Sequence, residues 1–284
     1  MKDIERWIPD RWDQFLGNQE LKVYFYDLIW CVRKEGHRSG FNLLTTGPSR
    51  TGKTSMITFG IKCLGCLNFD FETMNPCGKC KCCTLNHHLY GNEGWENVVD
   101  FENERDAPTP VRYHYLPLDC SRFSESELEQ ILLKLRVKDE NLRVVYLDEV
   151  HWLARRSMDD KLLKPLEDFP AIWIASSAYV KRDDRDGESN NHEAASLEKM
   201  FQNRFSFRIT TTKPDLGELI VWLAERCHEW GIQVETPKKT LERLAERSHQ
   251  VVGMALQVIN KAHKKRSKLL TLAMVEEHTF DLDD

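Results

Sequence analysis

The stretch Phe41-Asn42-Leu43-Leu44-Thr45-Thr46-Gly47-Pro48-Ser49-Arg50-Thr51-Gly52-Lys53-Thr54-Ser55 decides how the rest of the chain is read. Its first six residues, FNLLTT, form a short apolar and β-branched run with strand character. The eight residues from Gly47 to Thr54 fit GxxxxGK[ST] in full, and helix-compatible sequence continues from about Lys53 to Leu64. Strand, glycine-bearing loop and helix in that order make a phosphate-binding loop. The glycines let the backbone curl so that its N–H groups face phosphates, and the helix N-terminus adds favourable potential. The candidate cofactor-binding residues are therefore Gly47, Pro48, Ser49, Arg50, Thr51, Gly52, Lys53, Thr54 and Ser55. Lys53 is expected to reach the β- and γ-phosphates of ATP, and Thr54 to ligate Mg2+.

Downstream, strand and helix patterns alternate. YHYLPLD (113–119) reads as a second strand. SESELEQILLKLR (124–136) reads as a helix, with Ser124 as N-cap, an acidic first turn, and Leu128, Ile131, Leu132 and Leu135 on one face. LRVVYLDE (142–149) is a near-continuous apolar run ending in two carboxylates, as expected of a central parallel strand buried on both faces. A helix around Asp159 to Asp168 and the strand AIWIASS (171–177) complete the repeat. Upstream, Leu21, Tyr24, Phe25, Leu28 and Ile29 recur at helical spacing and predict a core-facing helix. The pattern implies an α/β fold with a parallel sheet flanked by helices and right-handed crossovers.

The segment VKRDDRDGESNNHEAAS (180–196) reads as an exposed loop, and residues 88–112 carry only weak periodicity. From Pro214 onward no strand of any length is expected, only amphipathic helices near 215–229, 237–248, 250–265 and 271–279. The predicted division is thus a nucleotide-binding α/β domain over 1–212 and a small helical lid domain over 213–284.

Chemistry in open α/β sheets gathers at the carboxyl ends of the strands. There Asp148 is expected to hold the Mg2+ shell, and Glu149 to orient and deprotonate the attacking water. Ser176 and Ser177, closing the strand AIWIAS, are candidates for contacting the γ-phosphate or that water. Hydroxyls that end a strand also serve as plain caps, and that reading stands beside the functional one.

The chain carries a formal net charge of −5, so contact with a nucleic acid must use local patches. The start MKDIERWIPD lacks a basic run followed by an apolar one, and no stretch approaches the roughly 20 apolar residues of a membrane helix. A soluble, cytoplasmic protein with no membrane partner is expected. Six of the nine cysteines fall between Cys63 and Cys83, which favours metal over disulfides. Cys77, Cys80 and Cys83 form a doubled C-x2-C that can wrap one tetrahedral Zn2+. Cys66 is the first candidate for the fourth ligand and Cys63 the alternative, with Cys82 a spectator and His87 and His88 weaker alternates. Four protein ligands leave no open position, so this zinc would be structural, pinning an insertion over about 63–88.

Taken together, WDQFLGNQEL, GPSRTGKTS, the cysteine module ending PCGKCKCC, LDCS, YLDEVHWL, KLLKPLED and NRFSF occur in an order that resembles the γ/τ motor subunit of the bacterial DNA polymerase clamp loader, a branch of the AAA+ ATPases. The resemblance spans about residues 8–280. It implies a Mg2+-dependent, ATP-hydrolysing motor that assembles into a homo- or hetero-oligomer through its ATP sites and acts on DNA or a DNA-bound protein. It also implies that Arg204, an ordinary surface arginine by itself, reaches the γ-phosphate of a neighbouring subunit. Two departures accompany it: Leu256 stands where the family has a lid arginine, and the sequence ends where a helical collar domain would begin. Those departures favour the alternative of a stand-alone AAA+ switch from a mobile element, phage or defence system that oligomerises to recruit an effector. A degenerate ATP-binding scaffold is disfavoured by intact Lys53, Asp148 and Glu149. The basic run Lys261, Lys264, Lys265, Arg266 and Lys268 is a candidate DNA contact or a solvated helix end.

Overall fold

Five parallel strands are laid down in the order β2-β3-β4-β1-β5, where β1 is Leu43–Gly47, β2 Tyr113–Asp119, β3 Leu142–Asp148, β4 Ile172–Ala178 and β5 Phe207–Thr210. The computed structural model describes residues 9–35, 40–84, 113–122, 124–136, 142–178, 197 and 199–280. The readings of His87, His88, the 88–112 stretch and the 180–196 loop lie outside the described residues. Every residue of β3 is buried, as its apolar run predicts for a strand covered on both faces. Register brings the carboxyl ends level: Asp119 lies opposite Asp148, Leu147 opposite Ala175, and Thr46 opposite Ser177.

The fifth strand was not expected from the sequence. Phe207–Thr210 is four residues long, shows one buried position among more exposed ones, and among the described residues pairs with β1 alone. So short a half-exposed edge carries almost no periodicity.

On one face, α1 (Gln19–Trp30) buries Leu21, Tyr24, Phe25, Leu28 and Ile29, the residues its spacing selects. It packs with α2 (Lys53–Gly65) around Trp12, Phe15 and Phe59, with the Trp12 and Phe59 rings edge to face at 4.8 Å. Fully burying each such side chain contributes about 1.5–3 kcal/mol. A short turn of helix, α3 (Lys81–Thr84), sits beyond α2. On the other face lie α4 (Glu125–Leu135), α5 (His151–Arg155), α6 (Leu163–Asp168) and α7 (Lys199–Gln202), which pack through Leu128, Leu153, Leu166 and Phe201. Helix α4 starts on the predicted cap: the Glu127 amide donates to Ser124 Oγ, and the Ser124 amide donates to Glu127 Oε2 at 2.8 Å.

The remaining elements are α8 (Leu216–Glu229), β6 (Gln233–Val234), α9 (Pro237–Arg247), α10 (Val252–Lys264), β7 (Leu269–Leu270) and α11 (Leu272–Glu277), which share a core of their own built on Leu219, Leu223, Leu244 and Ile259. The parallel pair β6-β7 corrects the expectation of no strand beyond Pro214. Two residues per strand are too few to give a pattern. No helix among the described residues is long and apolar enough to cross a membrane.

A strap formed by residues 10–18 ties these parts together. The Trp12 amide donates to Asn75 Oδ1 (3.1 Å) in the cysteine-rich turn, and Trp222 Nε1 on α8 donates to the Gln14 carbonyl (2.8 Å). Asn18 bridges two more segments: its Nδ2 donates to the Thr51 carbonyl (3.2 Å), and its Oδ1 accepts from the Thr212 amide (3.1 Å).

Candidate functional site

The loop between β1 and α2 is held in shape by its own side chains. Lys53 is buried, and its Nζ donates to the carbonyls of Gly47 (2.9 Å) and Pro48 (2.7 Å). Burial lowers its pKa, partly offset by the carboxylates of Glu149 and Asp148. Thr51 Oγ1 donates to the Pro48 carbonyl (2.9 Å) and lies 2.9 Å from Thr211 Oγ1. Gly47, at φ +139°, cannot be replaced in kind, because a Cβ there would stand 2.3 Å from Thr211 Oγ1. Arg50 and Gly52 also have positive φ, 61° and 89°, which curls the loop onto the first turn of α2. That turn starts at Lys53 and includes Thr54 and Ser55, so its free N–H groups point into the loop. A buried ammonium whose partners here are neutral carbonyls, set at a helix N-terminus, fits a polyphosphate.

Opposite the loop, the ends of β3 and β4 converge. Asp148 Oδ1 lies 2.7 Å from Tyr146 Oη and accepts a close hydrogen bond from Ser176 Oγ. Tyr146 Oη is also 3.3 Å from Thr54 Oγ1 and 3.2 Å from Ser176 Oγ. Glu149 adopts a left-handed backbone, φ 52°, which costs a non-glycine residue about 1–2 kcal/mol. This turn aims its carboxylate back at the sheet, where Oε2 accepts from the Ala178 amide (3.1 Å) and lies 3.1 Å from His151 Nδ1. Burial alone would raise the Glu149 pKa, but the hydrogen bonds from His151 and Ala178 outweigh it and hold the group ionised. Ser177 Oγ stands 3.4 Å from the same His151 nitrogen. Lys53, Thr54, Asp148, Glu149, Ser176 and Ser177 are thus gathered at adjacent strand ends. Tyr146, His151 and Asn18 join them without having been anticipated.

Arg204 lies apart from the loop of its own chain. Its Nε is 2.8 Å from Glu167 Oε1 on α6, an ion pair lying off the N–H direction. Helix α10 approaches the loop through Gly253, whose amide donates to the Arg50 carbonyl at 3.4 Å. A Cβ on Gly253 would sit 3.0 Å from Arg50 Cβ, so only glycine allows this approach without crowding. Leu256 is partly buried against the core shared by α8 to α11 instead.

At the far end of α2, the sulfurs of Cys66, Cys77, Cys80 and Cys83 all lie within 4.8 Å of one another. The Cys77 amide donates to Cys66 Sγ (3.2 Å), the Cys80 amide to Cys77 Sγ (3.4 Å), and the Lys79 amide to Cys77 Sγ (3.5 Å). A hydrogen bond from Cys83 and the one from the Cys77 amide draw the Cys66 pKa down against the effect of burial. Four sulfurs at tetrahedral-site spacing, with backbone N–H groups turned toward them, could bind a zinc ion. Cys63 is fully buried outside this group, and Cys82 packs below it with its Sγ 3.7 Å from the Lys62 carbonyl. Arg33 caps the end of α2, with Nη1 donating to the carbonyls of Leu64 (3.0 Å) and Cys66.

No protein-family model matches this sequence, and no curated protein matches it. Solved structures do. A single-substitution variant of RuvB from Thermotoga maritima superposes with a TM-score of 0.58 at 15% identity, covering 96% of this chain and 72% of that one. A structure described as the T. maritima RuvB Holliday junction branch migration motor gives 0.57 at 14% identity over 96% and 72%. A further RuvB variant gives 0.58 at 14% over 95% and 71%. At such identities the likeness speaks for the fold, and together with the strand order it shows that this chain has the AAA+ α/β fold.

Proposed function

We propose that this chain is a Mg2+-dependent ATPase, an AAA+ motor that oligomerises through its ATP sites and acts in the cytoplasm on DNA or a DNA-bound protein, as a clamp loader does. The observation that carries the proposal is the convergence of Lys53, Thr54, Asp148, Glu149 and Ser176 on the carboxyl ends of neighbouring strands. The backbone of residues 47–54 wraps the phosphates, and Lys53 exchanges its two loop carbonyls for phosphate oxygens. Thr54 and Asp148 would hold Mg2+, which would supply neutralisation of the phosphate charge. Glu149 stays ionised at neutral pH, orients the attacking water and takes its proton. Ser176 and Ser177 fix the γ-phosphate side of the site. Arg204 leaves Glu167 and presents its guanidinium to the neighbouring subunit's γ-phosphate. Cys66, Cys77, Cys80 and Cys83 hold a structural Zn2+, and the chain divides at about residue 212 into nucleotide-binding and lid domains.

Support for DNA as the partner comes from the RuvB likeness, one member of which is described as a branch migration motor. The clamp-loader form of the reading rests on the ordered motifs from WDQFLGNQEL to NRFSF. The test is steady-state phosphate release against protein concentration, with and without primed DNA. Rates that rise with both support the motor, and rates indifferent to both would sink it. A second reading, the stand-alone switch, is favoured by Leu256 packing into the lid core where a phosphate-facing arginine is expected. It predicts rings or filaments with an ATP analogue alone, without DNA.

A further inference from the structure

Tyr146 belongs to none of the phosphate-loop or carboxylate positions singled out by the motifs, yet its hydroxyl lies at the centre of the cluster. It is the only aromatic residue of β3, and it is 1% exposed. Residues two apart on a strand share a face, so Tyr146 and Asp148 point the same way, toward the first turn of α2. The phenol oxygen is 2.7 Å from Asp148 Oδ1, 3.2 Å from Ser176 Oγ and 3.3 Å from Thr54 Oγ1. A phenol carries one proton, and the Asp148 carboxylate is its nearest and only ionic acceptor among these. The other two contacts then fix where the oxygen stands, between β3, β4 and α2.

We propose that Tyr146 is a positioning residue for the metal–nucleotide site: its hydroxyl holds the Asp148 carboxylate at the distance from Thr54 that Mg2+ and its waters need. The inference rests on the nucleotide-binding reading above. Mg2+ tolerates little departure from octahedral geometry, so a carboxylate free to turn costs metal affinity. The hydroxyl of Ser176 approaches Asp148 from β4 and bonds at the end of β3, whereas the Tyr146 hydroxyl also reaches Thr54 on α2.

The experiment titrates Mg2+ into full-length protein with a fluorescent ATP analogue and reads nucleotide binding rather than turnover. In Tyr146→Phe, which keeps the ring and its packing, analogue binding without Mg2+ should stay within about twofold of wild type. The half-saturating Mg2+ concentration should rise about tenfold, the scale of one hydrogen bond to a charged group. In an Asp148→Asn background the same change should add almost nothing, since the tyrosine acts through that carboxylate. Equal Mg2+ dependence in wild type and Tyr146→Phe overturns the proposal, and so does a full tenfold shift that persists in Asp148→Asn. A Phe variant that no longer folds overturns it too, because the hydroxyl would then serve the core. Wild-type protein that binds no analogue at any Mg2+ concentration overturns the nucleotide reading itself, and this inference with it.

Discussion

At the N-terminal end of α2, free N–H groups and a buried lysine face a loop closed by left-handed residues; at its C-terminal end, an arginine holds the last carbonyls and four sulfurs gather, the first of them at Cys66 just past the helix. The helix is 13 residues long, about 20 Å. Its dipole makes the first end attractive to anions and the second to cations. The phosphate loop is complete in its own hydrogen bonds: lysine to carbonyl, threonine to carbonyl, asparagine to carbonyl. The cysteine end is different, because any sulfur that ionises near a helix C-terminus, as hydrogen bonds favour for Cys66, meets its partial negative charge. Arg33 answers part of that charge and a metal ion would answer the rest. One end is held in shape by its own hydrogen bonds, and the other gathers four sulfurs that a zinc ion could join.

Separating the two ends experimentally should give effects of descending size. Lys53→Ala should cut ATP hydrolysis by about two to three orders of magnitude. Zinc content, measured by metal analysis, should stay stoichiometric; loss of zinc in this variant would break the comparison. Cys80→Ser should do the reverse. It should release the metal and lower unfolding free energy on the order of 4 kcal/mol, with nucleotide affinity kept within tenfold. Denaturant unfolding and analogue titration on the same sample read both. Gly253→Val would press a side chain on Arg50, cost about 1–3 kcal/mol, and weaken nucleotide binding without touching the metal. Unchanged affinity would show that the lid does not bear on the loop. Smallest of all, Asn75→Ala removes the acceptor of the Trp12 amide and should lower Tm by roughly 2–4 °C in a calorimetric scan.

Much of this was legible in the sequence where the pattern is long or the residues are chemically singular. The GxxxxGK[ST] loop, the buried run of β3 and the face of α1 fall where their spacing puts them. The misses share a cause: the signal was short or looked ordinary. β5 and the β6-β7 pair are too short for periodicity, and Tyr146 reads as any strand-favouring aromatic. Asn18 sits in a polar lead-in, and its two bonds reach segments 33 and 194 residues away. The sequence puts Cys66 first and Cys63 second as the partner for the C-x2-C group. The burial of Cys63 away from the cluster separates them, through packing that only the fold reveals.

The strap has a consequence in time. Two of its bonds close on residues 194 and 208 positions later, at Thr212 and Trp222. Contacts of that separation form slowly, because the loop between them must be gathered first. The nearer contacts, with the cysteine-rich turn and the loop at Thr51, can therefore form before α8 closes the strap on its third side through Trp222.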